Sequence, residues 1–265
     1  MNVAILYICT GRYEIFWKDF YLSSEKHFLT NASKHYYVFT DAEQIFNEGS
    51  ESVKKIYQAN LGWPGNTLFR FKMFAPFANE LKSYDYVFFF NANAMFLQDI
   101  GEEFLPNDEL LVVHHPLFYK KKRKKFTYDR NPDSLAYIPE DKGEVYVAGG
   151  VNGGTGKIYA KLILDLSKNI DIDYEKGVIA LWHDESHLNR YILDHPYKML
   201  DPSYIFPEDY EKRLSFDKKI IMRDKKKYGG HDFLRQESDD FVEKKEEKKN
   251  SLSSFFKNIK NIISK

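Results

Sequence analysis

Two histidines and two carboxylates crowd into Trp182-His183-Asp184-Glu185-Ser186-His187-Leu188-Asn189, a density unusual for a solvated surface. His183 and His187 are four apart and could share a helix face, as zinc ligands do. The zinc-protease pattern, however, needs Glu directly after the first His, and Glu185 lies two after it, so zinc is rejected. The plain alternative makes Asp184 or Ser186 a helix N-cap, with Glu185 favoured by the positive end of the dipole. Capping and chemistry can coexist, since a helix N-terminus also fixes a carboxylate in place.

Three further segments have chemical potential. Asn91-Ala92-Asn93 ends an apolar run with two neutral amides. Hard cations need anionic oxygens to offset dehydration, so these amides would bind magnesium or manganese poorly, and they can equally just terminate a strand. Gly149-Gly150 and Gly153-Gly154 follow Val145-Tyr146-Val147, where missing side chains let backbone approach a ligand or turn with positive φ. Lys120 to Lys125 is an unbroken basic run with no aromatic residue inside it, which reads as a solvated surface loop and offers no stacking platform for single-stranded nucleic acid.

The elements that must position these residues alternate. Val3 to Cys9 is a buried strand ending at Thr10-Gly11-Arg12, and Ile15 to Leu29 has helical spacing. Tyr36 to Thr40 is a second strand, and Thr67 to Leu81 a second amphipathic helix. Tyr84 to Phe90 is apolar without interruption, as a central strand covered on both faces would be. Leu110 to His114 adds another strand, and helices are expected from Gly156 to Ser167 and from Ser186 to Leu193. Such alternation predicts an α/β fold with a largely parallel sheet, whose ligands bind beyond the carboxyl ends of the strands.

Composition bounds the rest. With 265 residues, 43% hydrophobic and 17% aromatic, the chain can bury one substantial core. Its 39 basic and 39 acidic residues cancel, which argues against a nucleic-acid binder in bulk. The cancellation is uneven: residues 1–218 hold 26 basic and 31 acidic, residues 219–265 hold 13 and 8. One cysteine, Cys9, excludes an intrachain disulfide or a Cys-based zinc site. Val3 to Cys9 is too short for a signal peptide or a spanning helix, and a cytoplasmic chain is expected.

Residues 1–240 form the expected main domain, and 241–265 a charged linker and tail. In that tail Leu252, Phe255, Phe256, Ile259, Ile262 and Ile263 recur at spacings of three and four, opposite Lys257, Lys260 and Lys265. A basic amphipathic helix of this kind lies on anionic membranes, and docking on protein is the alternative. Peripheral attachment to the inner face of the cytoplasmic membrane is therefore expected.

The segment Gly143 to Leu193, above all Tyr146 to Gly154 and Trp182 to Asn189, closely resembles glycosyltransferase family 6, which includes the histo-blood group A and B transferases. His35 to Asp41, Phe126-Thr127-Tyr128 and Ala136-Tyr137-Ile138-Pro139 match too, so the likeness runs from about residue 3 to 235. It implies a GT-A fold with a mixed central sheet, a UDP-sugar donor, and retaining transfer of α-linked GalNAc or Gal to O3 of a β-galactoside, often fucosylated. Asn91-Ala92-Asn93 departs from the Asp-x-Asp of many nucleotide-sugar transferases, as in bacterial, metal-independent members, so no cofactor and no metal ligand are expected.

The resemblance also implies roles. Ile8, Thr10 and Tyr13 would line the uridine pocket, and Arg70 would contact the donor. Asn91 and Asn93 would border the ribose and donor sugar, with Asp184 bonding sugar hydroxyls. His115, Thr127, Trp182 and His183 match acceptor-contacting positions. Glu185 would be catalytic, on the β face of the anomeric carbon and against the acceptor. Without a cation, the charge gathering on the departing UDP must be met by fixed donors, a role that falls to Lys225 and Arg235. Ala148-Gly149-Gly150 would set donor choice, a small residue at Gly150 favouring the acetamido group of UDP-GalNAc. The expected activity is an α-1,3-N-acetylgalactosaminyltransferase acting on a bacterial surface saccharide. The alternatives are an α-1,3-galactosyltransferase using UDP-Gal, or an inactive nucleotide-sugar or glycan binder.

Overall fold

The computed structural model describes residues 1–210 and 216–236. Its strands are β1 (Asn2–Ile8), β2 (Ser33–Thr40), β3 (Val53–Tyr57), β4 (Tyr86–Phe90), β5 (Ala94–Phe96), β6 (Leu110–His114), β7 (Val147–Thr155), β8 (Tyr197–Leu200), β9 (Phe206–Pro207) and β10 (Ile220–Met222). Seven of them form one sheet in the order β3-β2-β1-β4-β7-β6-β8, and β5-β10-β9 form a small second sheet. In the large sheet β3, β2, β1 and β4 pair in parallel, as do β6 and β8, while β7 runs antiparallel to both its neighbours.

The side-chain alternation of β1 explains the layering. Val3, Ile5, Tyr7 and Cys9 point into one core, with Trp17 and Phe20 of α1 (Trp17–His27). Ala4 and Leu6 point into the other. That second core takes Phe71 and Phe74 from α3 (Arg70–Phe74), which follows α2 (Gly62–Leu68). It also takes Tyr159, Leu162, Ile163, Leu166 and Ile170 from α5 (Gly156–Glu175), which lies beyond the short α4 (Ala78–Leu81). The sheet is thus buried on both faces, which is why its central strands read as continuous apolar runs.

Three expectations need correction. The helix expected over Thr67–Leu81 is broken into α3, a 3-10 turn at Ala75–Phe77 and α4, because Pro76 has no N–H for the helical ladder. The glycines at 149, 150, 153 and 154 do not follow a strand; they lie within β7, and none has positive φ. A Cβ on Gly153 would stand 2.2 Å from the Phe88 ring and 2.5 Å from the Val87 carbonyl oxygen, so glycine lets β7 pack against β4. Finally, neither Asp184 nor Ser186 is the N-cap of α6 (Asp184–Tyr191). That place belongs to His183, with φ 55° and ψ −127°, and Ser186 Oγ instead accepts the Trp182 N–H at 2.9 Å.

Among the described residues no helix is long and apolar enough to cross a membrane. The amphipathic pattern expected at 241–265 lies outside the described residues.

Candidate active site

Because β1 and β4 are parallel neighbours, their carboxyl ends open on the same edge of the sheet. Antiparallel β7 brings its first residues to that edge, where the Asn91 N–H donates to the Gly150 carbonyl at 2.8 Å. A cleft of about 300 Å³ lies there, lined by Ile8, Thr10 and Tyr13 from the end of β1 and the turn after it, and by Trp63 and Arg70 from α2 and α3. Asn91 and Asn93 line it after β4, and Lys225, His231 and Arg235 close it from the end of the described chain.

The closing segment is anchored by named contacts. Asn93 and Arg223 exchange two bonds, Arg223 N–H to the Asn93 carbonyl and Asn93 Nδ2 to the Arg223 carbonyl, each 2.8 Å. The buried Arg223 guanidinium pairs with Asp19 at 2.7 Å and stacks on Phe16. Helix α7 (Gly230–Arg235) then rests on Gly11, whose φ is +64° and where a Cβ would come 2.9 Å from the Leu234 carbonyl oxygen. Asn60 Nδ2 holds the Arg235 carbonyl at 2.8 Å. Lys225 and Arg235 thereby face Arg70 across the cleft. Burial, with the Arg235 and Arg70 cations, pushes the Lys225 ammonium down to about 8, and the same surroundings lower His231. Among the described residues no carboxylate pairs with Lys225, whose Nζ lies 5.3 Å from the Tyr13 ring centroid. A bound anion would relieve this arrangement.

A second pocket of about 340 Å³ adjoins the first through Asn91 and is lined by His115, Leu117, Ala148, Gly150, Glu185 and Ile205. Glu185, half-buried in the first turn of α6, accepts the Gly149 N–H on Oε2 at 2.8 Å and the Tyr146 hydroxyl on Oε1 at 3.0 Å. Burial raises its carboxyl; those two donors and Arg70 pull it back. Asp184 is 1% exposed, with Arg70 Nη1 at 2.7 Å from Oδ2, and burial outweighs that cation to push its carboxyl up to about 7. Arg70 also donates to the Gly149 carbonyl at 2.6 Å and lies over the Phe89 ring.

The remaining expected residues gather at the outer end. Trp182, 46% exposed, donates from Nε1 to Thr127 Oγ1 at 2.9 Å. His183 packs edge-on against Trp63, the ring centroids 5.4 Å apart. Burial and Lys121 push His115 down to about 4; its Nδ1 accepts the Leu117 N–H, leaving Nε2 as a neutral donor. His187 is separated from this site: it lies on the buried side of α6, 3.6 Å from Asp173, and is also held near 4 by burial. Among the described residues no group of three or more His, Cys, Asp or Glu side chains converges to hold a metal.

The family model for glycosyltransferase family 6 matches residues 1–235. The chain belongs to glycosyltransferase family 6. It is 36% identical to the O-antigen biosynthesis glycosyltransferase WbnI of Escherichia coli, over 86% of this chain and 96% of that protein. To the histo-blood group ABO system transferase 1 of Rattus norvegicus it is 34% identical over 78% of this chain, and it spans 61% of that relative's length. The globoside alpha-1,3-N-acetylgalactosaminyltransferase 1 of Gallus gallus is 27% identical over 78% of this chain and 62% of its own. The mixed, mostly parallel seven-stranded sheet agrees with the GT-A type of domain.

Sequence reasoning about this family 6 transferase missed several residues of the site. Tyr146 reads as an ordinary strand residue, and only the packing of α6 beside the segment leading into β7 brings its hydroxyl to Glu185. Trp63 and His231 have no local signature, since the cleft joins segments more than 160 positions apart.

Proposed function

We propose that this family 6 transferase moves GalNAc from UDP-GalNAc to O3 of a galactoside, with retention at the anomeric carbon and without a divalent cation. The observation that carries the reading is the Glu185 carboxylate, held by Gly149 and Tyr146 in a pocket that adjoins the cation-rich cleft through Asn91.

In this reading the uridine lies against Ile8, Thr10 and Tyr13, and the diphosphate against Arg70, Lys225 and Arg235. The donor sugar lies over Ala148, Gly149 and Gly150, with Asn91 and Asp184 on its hydroxyls and Asn93 behind the ribose. The acceptor meets His115, Thr127, Trp182 and His183. As the anomeric carbon–oxygen bond to UDP breaks, Glu185 either forms a glycosyl ester, which the acceptor O3 then displaces, or stabilises oxocarbenium charge while O3 attacks on the face that UDP leaves. On either route the sugar keeps its configuration and the O3 proton passes to an oxygen of the departing diphosphate. Charge on the departing UDP is met by the three cations. The donor set supports doing without a metal: both asparagines are neutral, and hard cations need anionic oxygens to offset dehydration.

Donor choice turns on Gly150. A Cβ there would come 2.8 Å from Asn91 Nδ2 and 3.1 Å from Ile205 Cδ1, so its absence leaves the Asn91 amide free to meet an acetamido carbonyl. The name of the Gallus gallus relative supports α-1,3 transfer of GalNAc, and that of the Escherichia coli relative supports a bacterial surface saccharide as acceptor. A cytoplasmic enzyme attached to the membrane through 241–265 fits that setting. UDP-GalNAc and UDP-Gal offered together with a fucosylated galactoside test the reading: an excess of GalNAc product supports it. An excess of Gal product supports the galactosyltransferase, and UDP binding with no transfer of either sugar supports an inactive binder.

A further inference from the structure

Apart from Lys121, whose charge acts on His115, the basic run at 120–125 has no part in the chemistry above, yet its placement is specific. Its loop is closed at the base by Phe118 and Phe126, whose ring centroids are 6.0 Å apart and which both pack on Tyr146, the residue that holds Glu185. Arg123 is turned inward and spent on the carbonyls of Gly143 and Asp141, at 2.8 and 2.6 Å. The five lysines, at 120, 121, 122, 124 and 125, are exposed, and among the described residues none lies within ion-pair distance of a carboxylate.

Exposed apolar side chains adjoin them. Leu117 at the start of the loop is 42% exposed, and Ile179, Leu181 and Trp182 are 49%, 53% and 46% exposed. The Ile179–Trp182 segment is tied to the far side of the loop by Leu181 N–H to Asp129, 2.7 Å, and Trp182 to Thr127. We propose that this rim, lysines beside aliphatic and indole side chains, is a membrane-contact surface that seats the acceptor end of the enzyme on an anionic lipid bilayer.

Residue type selects that partner. Lysine is a point charge on a flexible stem, suited to a diffuse anionic surface, whereas recognition of one phosphate favours the guanidinium fork, and the only Arg of the run is turned away. A tryptophan and aliphatic side chains beside the charges need an apolar phase, which a bilayer supplies and a nucleic acid or soluble polyanion does not. The orientation rests on the acceptor reading above, but the contact itself does not.

The test uses the full chain and vesicles of phosphatidylcholine, with or without about one-third phosphatidylglycerol. Changing Lys120, Lys122, Lys124 and Lys125 to glutamine, with Lys121 kept because its charge acts on His115, is expected to lower partition to the anionic vesicles at least about tenfold at low salt. Turnover of a soluble acceptor should not change. Removal of 241–265 should leave a residual partition that still depends on these lysines. Equal partition with and without the lysines in that shortened chain overturns the proposal, as does displacement from vesicles by inorganic diphosphate at constant ionic strength. Partition is read without turnover, so an inactive protein that still binds vesicles supports the surface while faulting the enzymatic reading.

Discussion

Arg70 and Glu185 grip the same residue from opposite sides: the Gly149 carbonyl accepts from Arg70 Nη1 at 2.6 Å, and the Gly149 N–H donates to Glu185 at 2.8 Å. Buried Asn152 also donates to that carbonyl, at 3.0 Å. A cation lining the larger cleft and a carboxylate lining the adjoining pocket are thus fixed through one residue of a central strand. Such rigidity keeps charged groups oriented before the substrate arrives.

Glu185→Gln removes the charge while retaining the shape. Turnover should fall about 10³-fold with the melting temperature little changed, because a neutral amide neither attacks nor stabilises the anomeric carbon. Steady-state kinetics alongside thermal unfolding checks this, and comparable turnover would remove Glu185 from the reacting centre.

Tyr146→Phe keeps the ring packed on Phe118 but deletes one donor to Glu185. That donor lowers the carboxyl's proton affinity, so its loss raises the pKa and should move the acid limb of kcat to higher pH, with turnover at neutral pH down about tenfold. A pH–rate profile with an unmoved limb would assign Tyr146 to packing alone.

Lys225 should make donor binding sensitive to pH. Its ammonium, lowered to about 8 by burial and by neighbouring cations, regains its proton when a diphosphate binds. The Lys225 contribution to UDP affinity is therefore constant well below pH 8 and weakens above it, by at most about tenfold per pH unit, with proton uptake on binding near pH 8. Calorimetry in buffers of different ionisation enthalpy measures that uptake, and Lys225→Ala should abolish it.

The parts of the fold legible in sequence were those with enough residues to display a period. The interiors of β1, β2, β4 and β6 stand out as apolar runs because both faces of the sheet are covered. β5, β9 and β10 have three, two and three residues, too few for any alternation, and β3 carries Lys54 and Lys55 at the sheet edge. The strand β7 was hidden by its glycines, which weaken intrinsic strand preference and are present for the close approach of Phe88. At the site, local chemistry singled out the Trp182–Asn189 segment and the strand-end asparagines, whereas the catalytic role of Glu185 came from family resemblance. The pairing of Lys225 and Arg235 with Arg70 came from family resemblance, and Tyr146 needed three-dimensional packing.

Gly153→Ala tests that account of β7. With Phe88 and the Val87 carbonyl inside contact distance, the added methyl should destabilise the protein by about 2–3 kcal/mol, read as a lower denaturation midpoint. A neutral effect would mean that β4 and β7 can separate without cost.

Arg70, Lys225 and Arg235 are expected to do for the leaving diphosphate what a divalent cation does elsewhere. Turnover of UDP-GalNAc with a fucosylated galactoside in excess EDTA measures it most directly. The account predicts equal kcat with and without chelator, together with a drop of at least about 10²-fold in Lys225→Ala. Activity abolished by EDTA and restored by manganese or magnesium would contradict it.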